Sequence, residues 1–227
     1  VTGVQTCALP IFKSVLDEKQ FRRFFFDFVY DRACAQRVLK SGKYNVILSG
    51  QNLAEVLSYY NEKSAADMIY PGYSTWKIGD GVQGDVIGDA LGLSLVATRP
   101  FSGDGIKMQD LKVVGDGKLA AMHGSTPFCR YLGIKPTGAY EKVRCENKGS
   151  VSFADMKKKP CLWAVAFSDF QMDSFSGHFG GEIRLAYLID GDKVTPVTGG
   201  SINGNLIEAQ QNVRFSKIGR ASCRERA

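Results

Sequence analysis

Between Asp17 and Lys40 the apolar residues Phe21, Phe24, Phe25, Phe28, Ala35, Val38 and Leu39 recur at helical spacing, while Arg22, Arg23, Asp31, Arg32 and Arg37 fill other positions. This pattern predicts a long amphipathic helix whose aromatic stripe faces a core, where Phe belongs by preference. Ser41-Gly42-Lys43 ends the helix, and Tyr44-Asn-Val-Ile-Leu48 reads as a short buried strand. Asn52 can cap a second helix, Leu53 to about Lys63, with Leu53, Val56, Leu57 and Tyr60 on one face. A Gly-rich irregular stretch follows from Pro71 to Gly92.

Beyond that stretch the period changes from helical to alternating. Leu93 to Ala97 reads as a strand, and Asp-Gly turns stand at Asp104-Gly105, Asp116-Gly117 and Asp190-Gly191. Lys112 to Met122 and Glu182 to Val197 read as hairpins, the second with Ile183, Leu185, Tyr187 and Ile189 on one face. Hairpins imply antiparallel pairing. The expected fold class is therefore α+β: a long N-terminal amphipathic helix and a second helix packed on a mainly antiparallel β-meander sheet.

Both ends look foreign to this pattern. Residues 1–11 and 218–227 resemble translated sequencing adapter, so the expected organisation is one body, 12–217, flanked by two artefactual tails and lacking an N-terminal domain. Removing 11 and 10 residues from 227 leaves 206, and dropping Arg220, Arg224 and Arg226 against Glu225 lowers the net charge from +6 to +4. So mild an excess, whose one dense run is Lys157-Lys158-Lys159, argues against nucleic acid as a partner. The apolar run Phe24 to Tyr30 carries an Asp, and no apolar stretch approaches the roughly 18 residues of a membrane span. The body keeps Cys34, Cys129, Cys145 and Cys161, with no C-x-x-C pair. Together with the lack of a signal peptide, this predicts reduced thiols and a cytoplasmic location.

The candidate chemistry is sparse. Gly79-Asp-Gly-Val-Gln-Gly84 matches a dinucleotide fingerprint, but the glycines after it interrupt the helix that a pyrophosphate needs. His123 and His178 are the two histidines, 55 positions apart, so they cannot share a helical metal motif. No G-x-S-x-G elbow exists, and Gly199 to Gly204 reads as a turn. Phe175 to Gly181 concentrates small residues ahead of a strand. Its Ser176, Gly177, His178, Gly180 and Gly181 are candidate peptide-binding residues, through addition of an extended peptide to a sheet edge, against the plainer reading of a flexible connection.

Several blocks, taken together and in order, resemble the C-terminal half of the TldD/PmbA family of metallopeptidase-related proteins. The strongest runs from Gly180 to Glu208 and is similar to the family's terminal hairpin, Pro-Val strand and Gly-Asn-x-x-Glu helix start. Phe101 to Ile106, Val113 to Leu119 and Leu132 to Gly138 add support. The resemblance implies a zinc-bearing TldD subunit with H-E-x-x-x-H on a helix after a strand like Asn45-Val-Ile-Leu48, and a further Cys ligand beyond the Gly-Asn-x-x-Glu helix. Two His at that spacing reach one side of a helix, and the Glu can take a proton from metal-bound water.

Here the corresponding helix, Asn52 to Tyr60, holds Glu55 and no histidine. The expectation is thus a TldE/PmbA-like subunit with no catalytic and no metal-binding residues and no cofactor of its own. Its expected partners are a TldD-like subunit carrying zinc, or copies of itself, and an unfolded peptide substrate. The alternatives are a self-sufficient hydrolase using His123 or His178, and a non-enzymatic binding or scaffold module.

Overall fold

The computed structural model describes residues 27–37, 39–146, 149, 151–216 and 221–226, the last six through their backbone pairing alone. Helix α1 occupies 27–34. Phe21, Phe24, Phe25 and Val38 of the aromatic stripe lie outside the described residues, while Phe28, Ala35 and Leu39 are half-buried. The helix does not continue to Lys40. From residue 35 the chain runs extended beside Pro196: the Gln36 amide donates to the Pro196 carbonyl at 3.0 Å, and the Thr198 amide donates to the Gln36 carbonyl at 3.0 Å. Proline has no amide proton but keeps its acceptor, so this edge can receive a strand-like segment and compete with the last helical turns.

Strand β1 (Lys43–Leu48) passes into α2 (Gly50–Lys63) through Gly50, whose φ of +59° allows the abrupt change of direction. The cap position is Ser49, not the expected Asn52. Asn52 lies inside the first turn, and its amide nitrogen donates 3.0 Å to the Val165 carbonyl on β6 (Cys161–Met172), pinning the helix to the sheet. The predicted apolar face is observed: Leu53, Val56, Leu57 and Tyr60 are buried, and Tyr59 joins them.

Two sheets enclose α2 in a shared core. The smaller is antiparallel, in the order β4 (Lys118–Leu119), β3 (Leu111–Gly115), β2 (Leu93–Val96), β5 (Lys142–Cys145). Its β3–β4 turn places Asp116 and Gly117 at φ of +51° and +73°, the left-handed pair of a type I′ hairpin. The larger sheet includes β7 (His178–Asp190), β8 (Lys193–Val197), β9 (Ser201–Asn205), β10 (Arg214–Phe215) and β11 (Ala221–Arg226). Its order is β1-β6-β7-β9-β11-β10, with β8 on β7 and β1 also paired to β11. β1 joins β6 in parallel, and the other pairings are antiparallel. The architecture is α+β, as the change of period predicts. β11 falls within the adapter-like C-terminal stretch.

The alternation along β7 explains why this hairpin was legible. Ile183, Leu185 and Ile189 are buried, whereas Glu182, Arg184 and Asp190 face outward. Tyr187 is half-buried, and its hydroxyl donates 2.6 Å to Asp31, tying α1 to the sheet.

The Gly-rich stretch becomes a strap across both sheets. Gly79 and Val82 donate to the carbonyls of Leu119 and Gly117, whereas Ile87 and Gly88 donate to Gln211, and Asp89 to Val213. The G-x-G-x-x-G segment thus lies against β4 and leads into no helix. At the centre of the strap, Gln83 is 1% exposed and fully engaged, with Nε2 donating to the Asp89 and Gln210 carbonyls and Oε1 accepting from Leu91. Among the described residues no helix is long and apolar enough to cross a membrane.

Candidate functional site

Two regions carry the chemistry that the sequence singled out: the helix after β1 and the turn before β7. On α2, Glu55 is half-buried, and no imidazole accompanies it. Placing Glu55 at the Glu of H-E-x-x-x-H puts Ala54 and Tyr59 where histidines would stand. Tyr59 is 5% exposed, with its ring 5.4 Å from Tyr60 and 5.8 Å from Trp76 in edge-on contacts. A packed phenol and a methyl group replace the two nitrogen donors, so a single carboxylate remains. That donor set does not fit zinc, which takes three or four protein ligands. Among the described residues no group of three or more His, Cys, Asp or Glu side chains could hold a metal ion.

The turn 173–178 is organised by Asp173. Its carboxylate accepts from the Phe175 amide at 2.9 Å and from the Ser176 hydroxyl, and these bonds, the hydroxyl's first, hold its pKa below the usual carboxylate range. Ser176 Oγ lies 3.0 Å from His178 Nδ1. The order of the three groups decides what they can do. In a catalytic triad the imidazole takes the serine proton and the carboxylate orients the imidazole. Here the serine proton is already given to Asp173, so His178 can only donate to the hydroxyl. The serine is not activated.

The sequence-predicted residues are only partly grouped. Ser176 and His178 are exposed, Gly177 is buried, and Gly180 and Gly181 are half-buried. Gly177 needs its φ of +77°, and a Cβ there would lie 2.7 Å from Ile207 Cγ1. Gly180 and Gly181 sit inside β7 with β6 on one side and β9 on the other. Their backbone edges are already paired, so strand addition cannot occur at these two glycines. Their smallness serves packing: a Cβ on Gly181 would lie 2.9 Å from the Phe170 Cα. Backbone does approach closely here, but the partner is the protein's own sheet.

The turn also adjoins groups that the sequence reading missed. Phe175 is exposed and meets Tyr73 edge-on at 5.5 Å, with Lys63 Nζ 5.9 Å from its ring centre. These three residues are far apart in sequence, so no local pattern joins them. Asp173 had a local signal, because Asp173-Ser-Phe-Ser176 has the spacing of a side-chain-stabilised turn. Asn205 closes the arrangement: its amide nitrogen donates to the Ser176 carbonyl at 3.1 Å, and its oxygen caps α3 (Leu206–Ala209) by accepting from Ile207 and Glu208. The Gly-Asn-x-x-Glu block thus starts a helix, as its likeness to the family implied.

His123 lies elsewhere, 4% exposed, with Nε2 2.8 Å from the Asn61 carbonyl and its ring edge-on to Tyr140. Burial depresses its pKa, opposed by that carbonyl. A depressed folded-state pKa means that the unfolded chain binds the proton more readily, so the stabilisation is complete above the ordinary histidine pKa and is lost as pH falls through the folded value. The denaturation midpoint should therefore drop between about pH 7 and 5. In His123→Gln that component should be absent, and urea melts across this range check it.

The family model of the PmbA/TldA metallopeptidase C-terminal domain matches residues 41–219. The chain belongs to this family. No curated protein matches it. Among solved structures, a protein described as a putative modulator of DNA gyrase from Bacteroides thetaiotaomicron superposes with a TM-score of 0.69 at 18% identity, over 92% of this chain and 51% of that one. A second protein so described, from Thermotoga maritima, gives 0.65 at 18% identity, over 85% and 51%. TldE from Thermococcus kodakarensis gives 0.60 at 13% identity, over 83% and 49%. These likenesses establish the fold. The chain spans about half the length of the solved structures it matches.

Proposed function

We propose that this protein is the metal-free, TldE/PmbA-like member of a cytoplasmic peptidase assembly, helping a zinc-bearing TldD-like subunit to handle unfolded peptides. The observation that carries this reading is the α2 helix, where Glu55 stands without imidazoles and Tyr59 is committed to aromatic packing. A carboxylate with no metal beside it has no acidified water to deprotonate. The two histidines give the self-sufficient hydrolase no support, since one is buried against a backbone carbonyl and the other faces a serine whose proton is already given to Asp173. The fold it shares with TldE is compatible with the subunit role.

The test is co-elution. Mixed with the TldD-like protein of its own organism, the protein should run on size exclusion as a complex larger than either component. Separate elution of the two at micromolar concentration, with this protein forming only copies of itself, contradicts the heteromeric reading.

A further inference from the structure

On the outer side of β7 a groove of about 410 Å³ opens between the extended segment after α1 and the β8–β9 connection, lined in part by Arg37, Glu182, Arg184, Thr198, Gly199 and Ser201. It lies apart from α2 and from the 173–178 turn. The backbone fixes Arg37 there, because its neighbour Gln36 is bonded to both Pro196 and Thr198. The connection turns through Gly199 and Gly200 at φ of +81° and +76°, and the Arg37 side chain lies across Gly199, with Cγ 3.6 Å from where a Cβ would be. A side chain at 199 would strain the turn.

The charges do not balance. Arg184 pairs with Glu182 at 3.0 Å, whereas Arg37 has no acidic partner among the described residues. Two guanidinium groups thus face one carboxylate. One hydroxyl donor stands beside them: Ser201 Oγ accepts from Asn203 Nδ2 at 3.2 Å, which leaves its own proton available. Planar guanidinium groups bind carboxylates through paired, charge-assisted hydrogen bonds.

We propose that this groove is a carboxylate-binding subsite for peptides, with Arg37 as the group that engages the anion and Arg184 as a second, partly neutralised contact. That the ligand is a peptide rests on the functional reading above, whereas the preference for a carboxylate rests on the groove. The carboxylate can be a chain terminus or an acidic side chain.

The probe is a hexapeptide of alanine and glycine, labelled at its N-terminus with an uncharged BODIPY dye, in three forms: free acid, C-terminal amide, and amide with one internal glutamate. Its anisotropy is read on the protein without any partner. The free acid, the internal-glutamate form or both should bind at least about tenfold more tightly than the neutral amide, and which of them does so identifies the source of the carboxylate. Arg37→Gln should remove about tenfold of that affinity, and Glu182→Gln should raise it about threefold by releasing Arg184. Added salt should weaken binding at so exposed a site. Equal binding of all three forms, no binding of any, or full affinity in an Arg37→Gln protein with an unchanged thermal melt overturns the subsite. Because partner capture is read separately, failure of the subsite and failure of the heteromeric reading give different results.

Discussion

Replacing Gln83 with Leu will lower the stability of the protein by about 4 kcal/mol. The side chains are close in size, so little packing is lost. What is lost is three hydrogen bonds, two of them fully buried: the carbonyls of Asp89 and Gln210 lose their shared donor, and the Leu91 amide loses its acceptor. Each buried group left without a partner costs about 1–3 kcal/mol. Part of that is recovered if the Gln210 carbonyl and the Leu91 amide relax toward neighbours, which sets the central figure below the sum. For a body of this size the thermal midpoint should fall by about 10 °C. Gln83→Ala should cost less, because the space it opens can admit a water to the same polar groups. A Gln83→Leu protein that melts within about 2 °C of the parent would show that the strap does not depend on this amide.

The second large effect concerns Gly88, five residues further along the strap. A Cβ at this position would fall 2.1 Å from the Val213 carbonyl oxygen and 2.9 Å from the Asn212 carbonyl carbon. Both obstacles are backbone, so no rotamer change relieves them. Alanine must push the strap away from the 211–213 segment, breaking the Gly88–Gln211 bond of 2.7 Å and straining the Asp89–Val213 bond of 2.8 Å. The expected loss is about 3 kcal/mol or more. Gly103→Ala is the matched control: nothing lies within 4 Å of its Cβ and its φ is not left-handed, so its effect should stay within about 0.5 kcal/mol. Urea denaturation of the two variants side by side measures the difference. Equal stabilities would mean that the contact between the strap and residues 211–213 is absent in solution.

Both predictions fall in the stretch that the sequence described least well, and the reason is physical. β7 and β8 were legible because burial of one face imposes a two-residue alternation, and α2 because burial of one stripe imposes a helical one. The strap obeys neither rule. It is held by backbone bonds to two remote segments and by one buried amide, and a glutamine among glycines looks like ordinary solvated loop. Asn52 misled for a related reason: its amide suits a helix cap locally, but β6 supplies a carbonyl from 113 positions away. The end of α1 was also hidden, since the competing partner, the Pro196 carbonyl, lies far along the chain.

The candidate site divides in the same way. The missing imidazoles on α2 could be read directly from residue types, because metal ligation demands particular side chains at particular spacings. At Gly180 and Gly181 the close approach is real, and the approaching backbone is that of β6 and β9, which composition does not tell apart from a bound peptide. The Arg37 groove escaped notice because its two arginines stand 147 positions apart and meet only through the Gln36–Pro196 pairing.

The reading of α2 as a helix that has exchanged metal ligands for aromatic packing is tested most directly by zinc analysis and peptide cleavage on one sample of the protein purified alone. The account expects well under one equivalent of zinc after exposure to excess metal and desalting, with no cleavage of an unfolded peptide, and cleavage only once a TldD-like protein is added. One tightly held zinc per chain, with cleavage that a chelator abolishes and zinc restores, would contradict it.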